Sequence, residues 1–235
     1  MNLLTKYQQG YCREVYDEIR DWGEDAFKSQ HYPMVESVLK DTFKRLAYNL
    51  DIIYSELVKL GYCFPTHIRH DFQRPMVKPA ADVDNLLTSL DRAVKKKGHV
   101  PLSLKLFYQM VGSCNFAWDY DQRPDIPWEG SDPIQIAPLT DLLAESAERE
   151  DFSELQVSAD YWHKDNISGG PPYSVKLTKH PSIDSQFLNE EHNTTFIGYL
   201  RLTMENGGFS RADKCMHIKD FAEFQATVKP KLFKI

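Results

Sequence analysis

The stretch that decides the fold is Val100-Pro101-Leu102-Ser103-Leu104-Lys105-Leu106-Phe107-Tyr108-Gln109-Met110-Val111-Gly112-Ser113, followed directly by Cys114-Asn115-Phe116-Ala117-Trp118-Asp119-Tyr120. Pro101 suits the first turn of a helix, where its missing N–H has no partner to lose. Leu102, Leu106 and Met110, with Phe107, then fall on one helical face, and Gly112 stops the helix. From Cys114 the period changes to two, which predicts a strand carrying Phe116, Trp118 and Tyr120 on one side. A helix that gives way at once to a strand points to mixed α and β structure.

Toward the N-terminus the pattern is helical. Cys12, Val15, Ile19 and Trp22 have helical spacing, and Gly23 suits the position after the last turn. After Pro33 a longer stripe runs through Val35, Leu39, Phe43, Leu46, Leu50, Ile53, Leu57 and Leu60, at steps of three or four. Such spacing keeps one face apolar over about 40 Å of helix. Residues 65–81 hold three prolines and no periodicity, which reads as a connector. Val83, Leu86, Leu87, Leu90 and Val94 predict a further helix with Asp82 as N-cap.

Toward the C-terminus, short strands are expected at 133–136, 152–158 and 173–177, with a short helix after Pro138. A helix from Thr194 is apolar on most sides and so is expected to be buried. Residues 221–228 suit either a strand or a short helix. The fold class expected is α+β: a helical N-terminal part packed on a small antiparallel sheet flanked by helices. The divisions are 1–64 helical, 65–81 connector and 82–235 α+β, packed as one unit.

The net charge is −6, with 26% charged and 42% hydrophobic residues, so a packed core is expected and disorder is not. The dense cationic run Lys95-Lys96-Lys97 closes a helix, where cations complement the negative terminus. Nucleic acid is therefore not an expected partner. Cys12, Cys63, Cys114 and Cys215 lie far apart with no C-x-x-C pair. No signal-peptide pattern opens the sequence and no apolar run approaches the ~20 residues of a membrane span. These features predict free thiols in the cytoplasm and no membrane association.

Val100–Ser113 resembles the "LP-x-x-(Y/L)-x-x-F-Y/L-x-x-x-N-G" helix of the SUKH superfamily. Gly112-Ser113 stands where that pattern has Asn-Gly. The subsequent order, Asp132–Ile136, the helix at Thr140 and the helix at Phe196, is similar to that superfamily's arrangement. Gly61-Tyr62-Cys63-Phe64, the PLSL-x-x-FY-x-x-VGS run and His163-Lys164-x-x-x-Ser168-Gly169-Gly170-Pro171-Pro172-Tyr173 resemble segments of a set of bacterial proteins to which no activity is assigned. The SUKH resemblance implies an immunity protein or binding adaptor.

Candidate chemistry centres on residues 160–173. Ser168-Gly169-Gly170 can present successive backbone N–H groups, the arrangement that cradles an anion. Trp162, His163, Lys164, Asp165 and Tyr173 complete a candidate ligand or partner surface, with His163 as acid or base in a catalytic version. The competing reading is a tight connection, in which Gly-Gly permits special backbone angles and Pro-Pro stiffens the entry to the next strand. A nucleophilic Ser needs a positioned base and an orienting group, and no G-x-S-x-G elbow is present. No catalytic residue, metal site or cofactor is therefore assigned. His67, His70 and Asp71 have a spacing that a metal site uses, but no H-E-x-x-H motif or Cys cluster supports them. Arg45 and Asn49, at the edge of the long stripe, suit anchoring of the sheet's loops. Arg201, alone in an apolar helix, is expected to meet a buried carboxylate. The favoured function is a non-catalytic protein–protein interaction module of the immunity kind with a protein partner. The alternative is a small-molecule-binding protein or enzyme using residues 160–173.

Overall fold

The computed structural model describes residues 2–65, 75–149 and 152–235. In chain order the helices and strands are α1 (Leu3–Gln8), α2 (Cys12–Asp21), α3 (Tyr32–Lys59), β1 (Met76–Val77), α4 (Val83–Val94), α5 (Leu102–Met110), β2 (Ser113–Asn115), β3 (Gln135–Ile136), α6 (Leu139–Glu148), β4 (Glu154–Ser158), α7 (Tyr161–Lys164), β5 (Tyr173–Lys176), β6 (Phe187–Leu188), α8 (Phe196–Glu205) and α9 (Lys219–Val228). The class is α+β. Two three-stranded antiparallel sheets, β1-β2-β3 and β4-β5-β6, replace the single sheet expected from the sequence. They are joined where Ala137 N donates to Val157 O at 2.7 Å.

The long stripe accounts for α3. Val35, Leu39, Phe43, Leu46, Leu50, Ile53 and Leu57 are all buried, and α3 packs on α1, α5, α8 and α9. The stripe ends one turn earlier than its spacing suggests, because Leu60 is 53% exposed. Asn49 lies inside the stripe, fully buried, and exchanges two hydrogen bonds with the Phe233 backbone, each 2.8 Å. Arg45 Nη1 donates to Lys234 O at 3.0 Å. These two residues thus hold the C-terminal segment rather than the sheet's loops.

The strand expected over 114–120 stops at Asn115. Its Oδ1 accepts the Ala117 N–H at 3.0 Å, a local bond that turns the chain out of the ladder. Phe116, Ala117 and Trp118 are consecutive and all buried, so the alternation that suggests a strand is not used. Phe116 and Trp118 instead join Tyr62, Phe64 and Trp128 in an aromatic cluster with centroids about 5–6 Å apart. Asp82 precedes α4 without a side-chain cap bond. Thr195 caps α8 through Oγ1, which accepts Gly198 N at 3.2 Å, and Phe196, Ile197, Tyr199, Leu200 and Met204 are buried as expected. Residues 219–228 are helical.

The four cysteines are unpaired. Among the described residues no helix is long and apolar enough to cross a membrane, and no three His, Cys, Asp or Glu side chains cluster as metal ligands. His67, His70 and Asp71 lie outside the described residues.

Candidate functional site

Residues 160–173 form one short helix and a return loop. Asp160 starts α7: its Oδ1 accepts His163 N at 2.9 Å, and its Oδ2 lies 3.0 Å from His163 Nδ1. Asp160 is buried, whereas His163 is exposed. The carboxylate therefore holds the His163 ring through Nδ1. After Lys164 the chain reverses: Asn166 takes φ +57°, and Ile167 N donates to Trp162 O at 2.7 Å. The loop then folds back on its own cap. A Cβ at Gly169 would sit 2.5 Å from Asp160 Oδ1 and 2.7 Å from Trp162 Cβ. Close approach is what requires this glycine; neither Gly169 nor Gly170 has a positive φ. The Ser168-Gly169-Gly170 segment lies over the Asp160 carboxylate, which repels an anion approaching from that side.

The eight candidate residues divide by depth. Lys164, Asp165 and Tyr173 are buried; Trp162, His163, Ser168 and Gly170 are exposed, and Gly169 lies between. Lys164 Nζ donates to Asp132 Oδ1 at 2.6 Å and lies 4.9 Å from the centre of the Tyr173 ring. Tyr173 OH and Ser210 Oγ donate to Asp132 Oδ2 at 3.0 and 2.5 Å. Burial, then the Asp132 carboxylate, pushes the Tyr173 phenol far above its ordinary range, so it remains a donor. Asp132 is not a candidate from the sequence. It has φ +53° and gathers donors from α7, β5 and the segment after α8. The local sequence Ser131-Asp132-Pro133 says nothing of distant donors.

Asp165 accepts the Gly130 N–H at 2.6 Å through Oδ2. Burial raises its carboxyl pKa to about 6, with Glu129 and Asp132 adding to the rise and the Gly130 N–H and Lys164 opposing it.

Two surfaces flank α7. On one side a cavity of about 160 Å³ is lined by Asn115, Asp119, Gln135, His163 and Lys164. Asn115 is buried, and its Nδ2 has no hydrogen-bond partner among the described residues. On the other side a wide, shallow depression of about 610 Å³ is lined by Tyr161, Trp162 and Ile167 together with Glu129, Arg211 and Lys214. Trp162 is 44% exposed, Ile167 42% and Met216 48%. The Arg211 guanidinium stacks on Tyr161, 3.8 Å from the ring centre, and its Nε lies 3.1 Å from Glu191 Oε1.

Comparison of the chain with protein-family models, curated proteins and solved structures gives no match.

Proposed function

We propose that this chain is a non-catalytic protein-binding module whose contact face is centred on Trp162 and Ile167. One observation carries the reading: two large apolar side chains stand exposed on a loop whose base is fixed by buried Lys164, Asp165 and Tyr173. A rigid aromatic presented beside an arginine is the composition of an interface hot spot, because little side-chain entropy is lost on contact. Glu129, Arg211 and Lys214 in the same depression suit a partner that offers an apolar side chain beside charged ones of both signs. The SUKH resemblance of α5 supports the immunity kind of adaptor. The unpaired thiols support the cytoplasm as its location.

The test is affinity capture from the native host with the wild type, Trp162→Ala, Ile167→Asp and the distant control Leu60→Asp. The expected result is a partner held by the wild type and the control and lost from both loop variants, with all four proteins equally folded. A partner that is indifferent to Trp162 and Ile167 overturns the reading.

A second reading, a small polar ligand beside His163, rests on the 160 Å³ cavity lined by Asn115, Asp119, Gln135, His163 and Lys164, a volume that suits a ligand of only a few atoms. It predicts that His163→Ala and Asn115→Leu each abolish binding of such a ligand while leaving partner capture intact.

A further inference from the structure

We propose that residues 232–235 are an exchangeable strap, and that the groove they fill between α2, α3 and α8 takes the same four residues from a second copy of this chain. The groove shares no residue with the Trp162 face, so neither reading depends on the other.

The strap is held by side chains acting on its backbone. Asn49 of α3, fully buried, donates through Nδ2 to Phe233 O and accepts Phe233 N through Oδ1, each at 2.8 Å. Four residues earlier on α3, Arg45 Nη1 donates to Lys234 O at 3.0 Å, and Cys12 Sγ of α2 donates to the same oxygen at 3.8 Å. Arg201 of α8 was expected to pair with a buried carboxylate, yet no Asp or Glu side chain bonds to it among the described residues; its Nε donates to Ile235 O at 2.6 Å. Three helices thus grip three consecutive residues, and among the described residues 233–235 make no backbone-to-backbone bond. Main-chain bonds that supply affinity and a side-chain pocket that supplies specificity are the division of labour used for a bound extended peptide. Here the pocket is filled by Ile235, only 2% exposed, while Phe233 and Lys234 are exposed.

A hinge joins the strap to α9. It is the 3-10 turn Lys229–Lys231, with Pro230 at its centre and all three residues exposed. None of the residues that grip the strap belongs to the hinge or to α9, so a strap from a second copy makes the same bonds and only the hinge changes conformation. The rim of the groove also favours a second copy. The Phe233 and Tyr48 rings lie 5.0 Å apart and are 52% and 46% exposed, and Tyr11, beside Cys12, is 50% exposed. Exposed apolar side chains gathered at one edge are what an approaching protomer covers. The tether gives the chain's own strap an effective concentration in the millimolar range, so exchange sets in as the protein approaches that concentration.

The test is sedimentation of the full chain from about 10 µM to about 1 mM. The wild type is expected to be monomeric at the low end and increasingly dimeric toward the high end. Ile235→Asp places a charge in the pocket that the strap fills and is expected to abolish the dimer. Deleting Pro230 and Lys231 leaves one hinge residue, which spans about 3.5 Å when extended, where the present turn spans about 6 Å. The chain's own groove is then out of reach, and the dimer dissociation constant is expected to fall at least about tenfold. Because both changes act on contacts of the folded chain, amide exchange of the wild type provides a second measure. The Phe233 N–H, held by Asn49, is expected to exchange through a local opening at least about tenfold more frequent than global unfolding. A dimer that survives Ile235→Asp, a hinge deletion without effect, or a Phe233 amide that exchanges only on global unfolding overturns the proposal. So does a wild type that stays monomeric to about 1 mM while its Phe233 amide opens locally, since the groove then suits a foreign peptide rather than a second copy.

Discussion

Lys164 Nζ lies 2.6 Å from Asp132 Oδ1, with the two side chains 0% and 1% exposed. Removing two charges from water is expensive, and the attraction between them offsets that cost only when the remaining lone pairs are also satisfied. Here they are, by Tyr173 and Ser210. Lys164→Met removes the counter-charge and leaves a buried carboxylate with two hydroxyl donors. The expected loss is about 3–5 kcal/mol, read from urea unfolding at pH 7. Adding Asp132→Asn to it is expected to restore much of that loss, so a double-mutant cycle gives a strong coupling. A loss under about 1 kcal/mol for Lys164→Met means that the pair does not anchor the loop.

Asp165 gives the fold a pH dependence with an unusual sign. Its folded pKa of about 6 lies above the ordinary carboxyl value of 3.8, so the folded state binds more protons than the unfolded chain between those limits. Its contribution is therefore complete below about pH 4 and lost as the pH rises through 6. Discounted for residual solvent screening, the difference is roughly 2 kcal/mol. Asp165→Asn keeps an oxygen for the Gly130 N–H and removes the titration. It is expected to be more stable than the wild type at pH 7–8, with the advantage shrinking toward pH 4. Urea midpoints at several pH values check this, and an advantage that grows toward acid rules it out.

Legibility in the sequence depends on the range of the interaction. The α3 stripe and the buried α8 follow from periodicity, since a helical face is written at three- and four-residue spacing. The end of strand β2 does not, because the Asn115 side chain competes locally with the ladder that the aromatic alternation suggests. Asn49 reads as the edge of a stripe, yet it is buried because its partner is Phe233, 184 positions away. Composition marks the candidate loop but not its orientation. Lys164 and Asp165 are consecutive and polar, and both turn inward toward Asp132 and Gly130, which no local pattern announces. The short helix α7 is hidden by the Gly-Gly-Pro-Pro run after it and depends on the Asp160 cap.

Gly169 and Gly170 are adjacent, so they offer an internally controlled test of whether the loop's shape matters. A Cβ at Gly169 meets Asp160 Oδ1 at 2.5 Å and Trp162 Cβ at 2.7 Å, whereas one at Gly170 meets only Asp160 Oδ2, at 3.6 Å. Neither contact at Gly169 yields easily: Asp160 is held by two bonds to His163, and the Trp162 Cβ is fixed to the α7 backbone. Gly169→Ala is therefore expected to cost about 1–3 kcal/mol by overpacking and to displace the exposed indole. Gly170→Ala is expected to be close to neutral, since 3.6 Å is ordinary contact. Thermal unfolding of the two variants gives the stability difference. Affinity capture gives the functional one, because a partner that reads the Trp162 face is lost with Gly169→Ala and kept with Gly170→Ala. If the two alanines behave alike, the loop is pliant and a pre-formed contact face is ruled out.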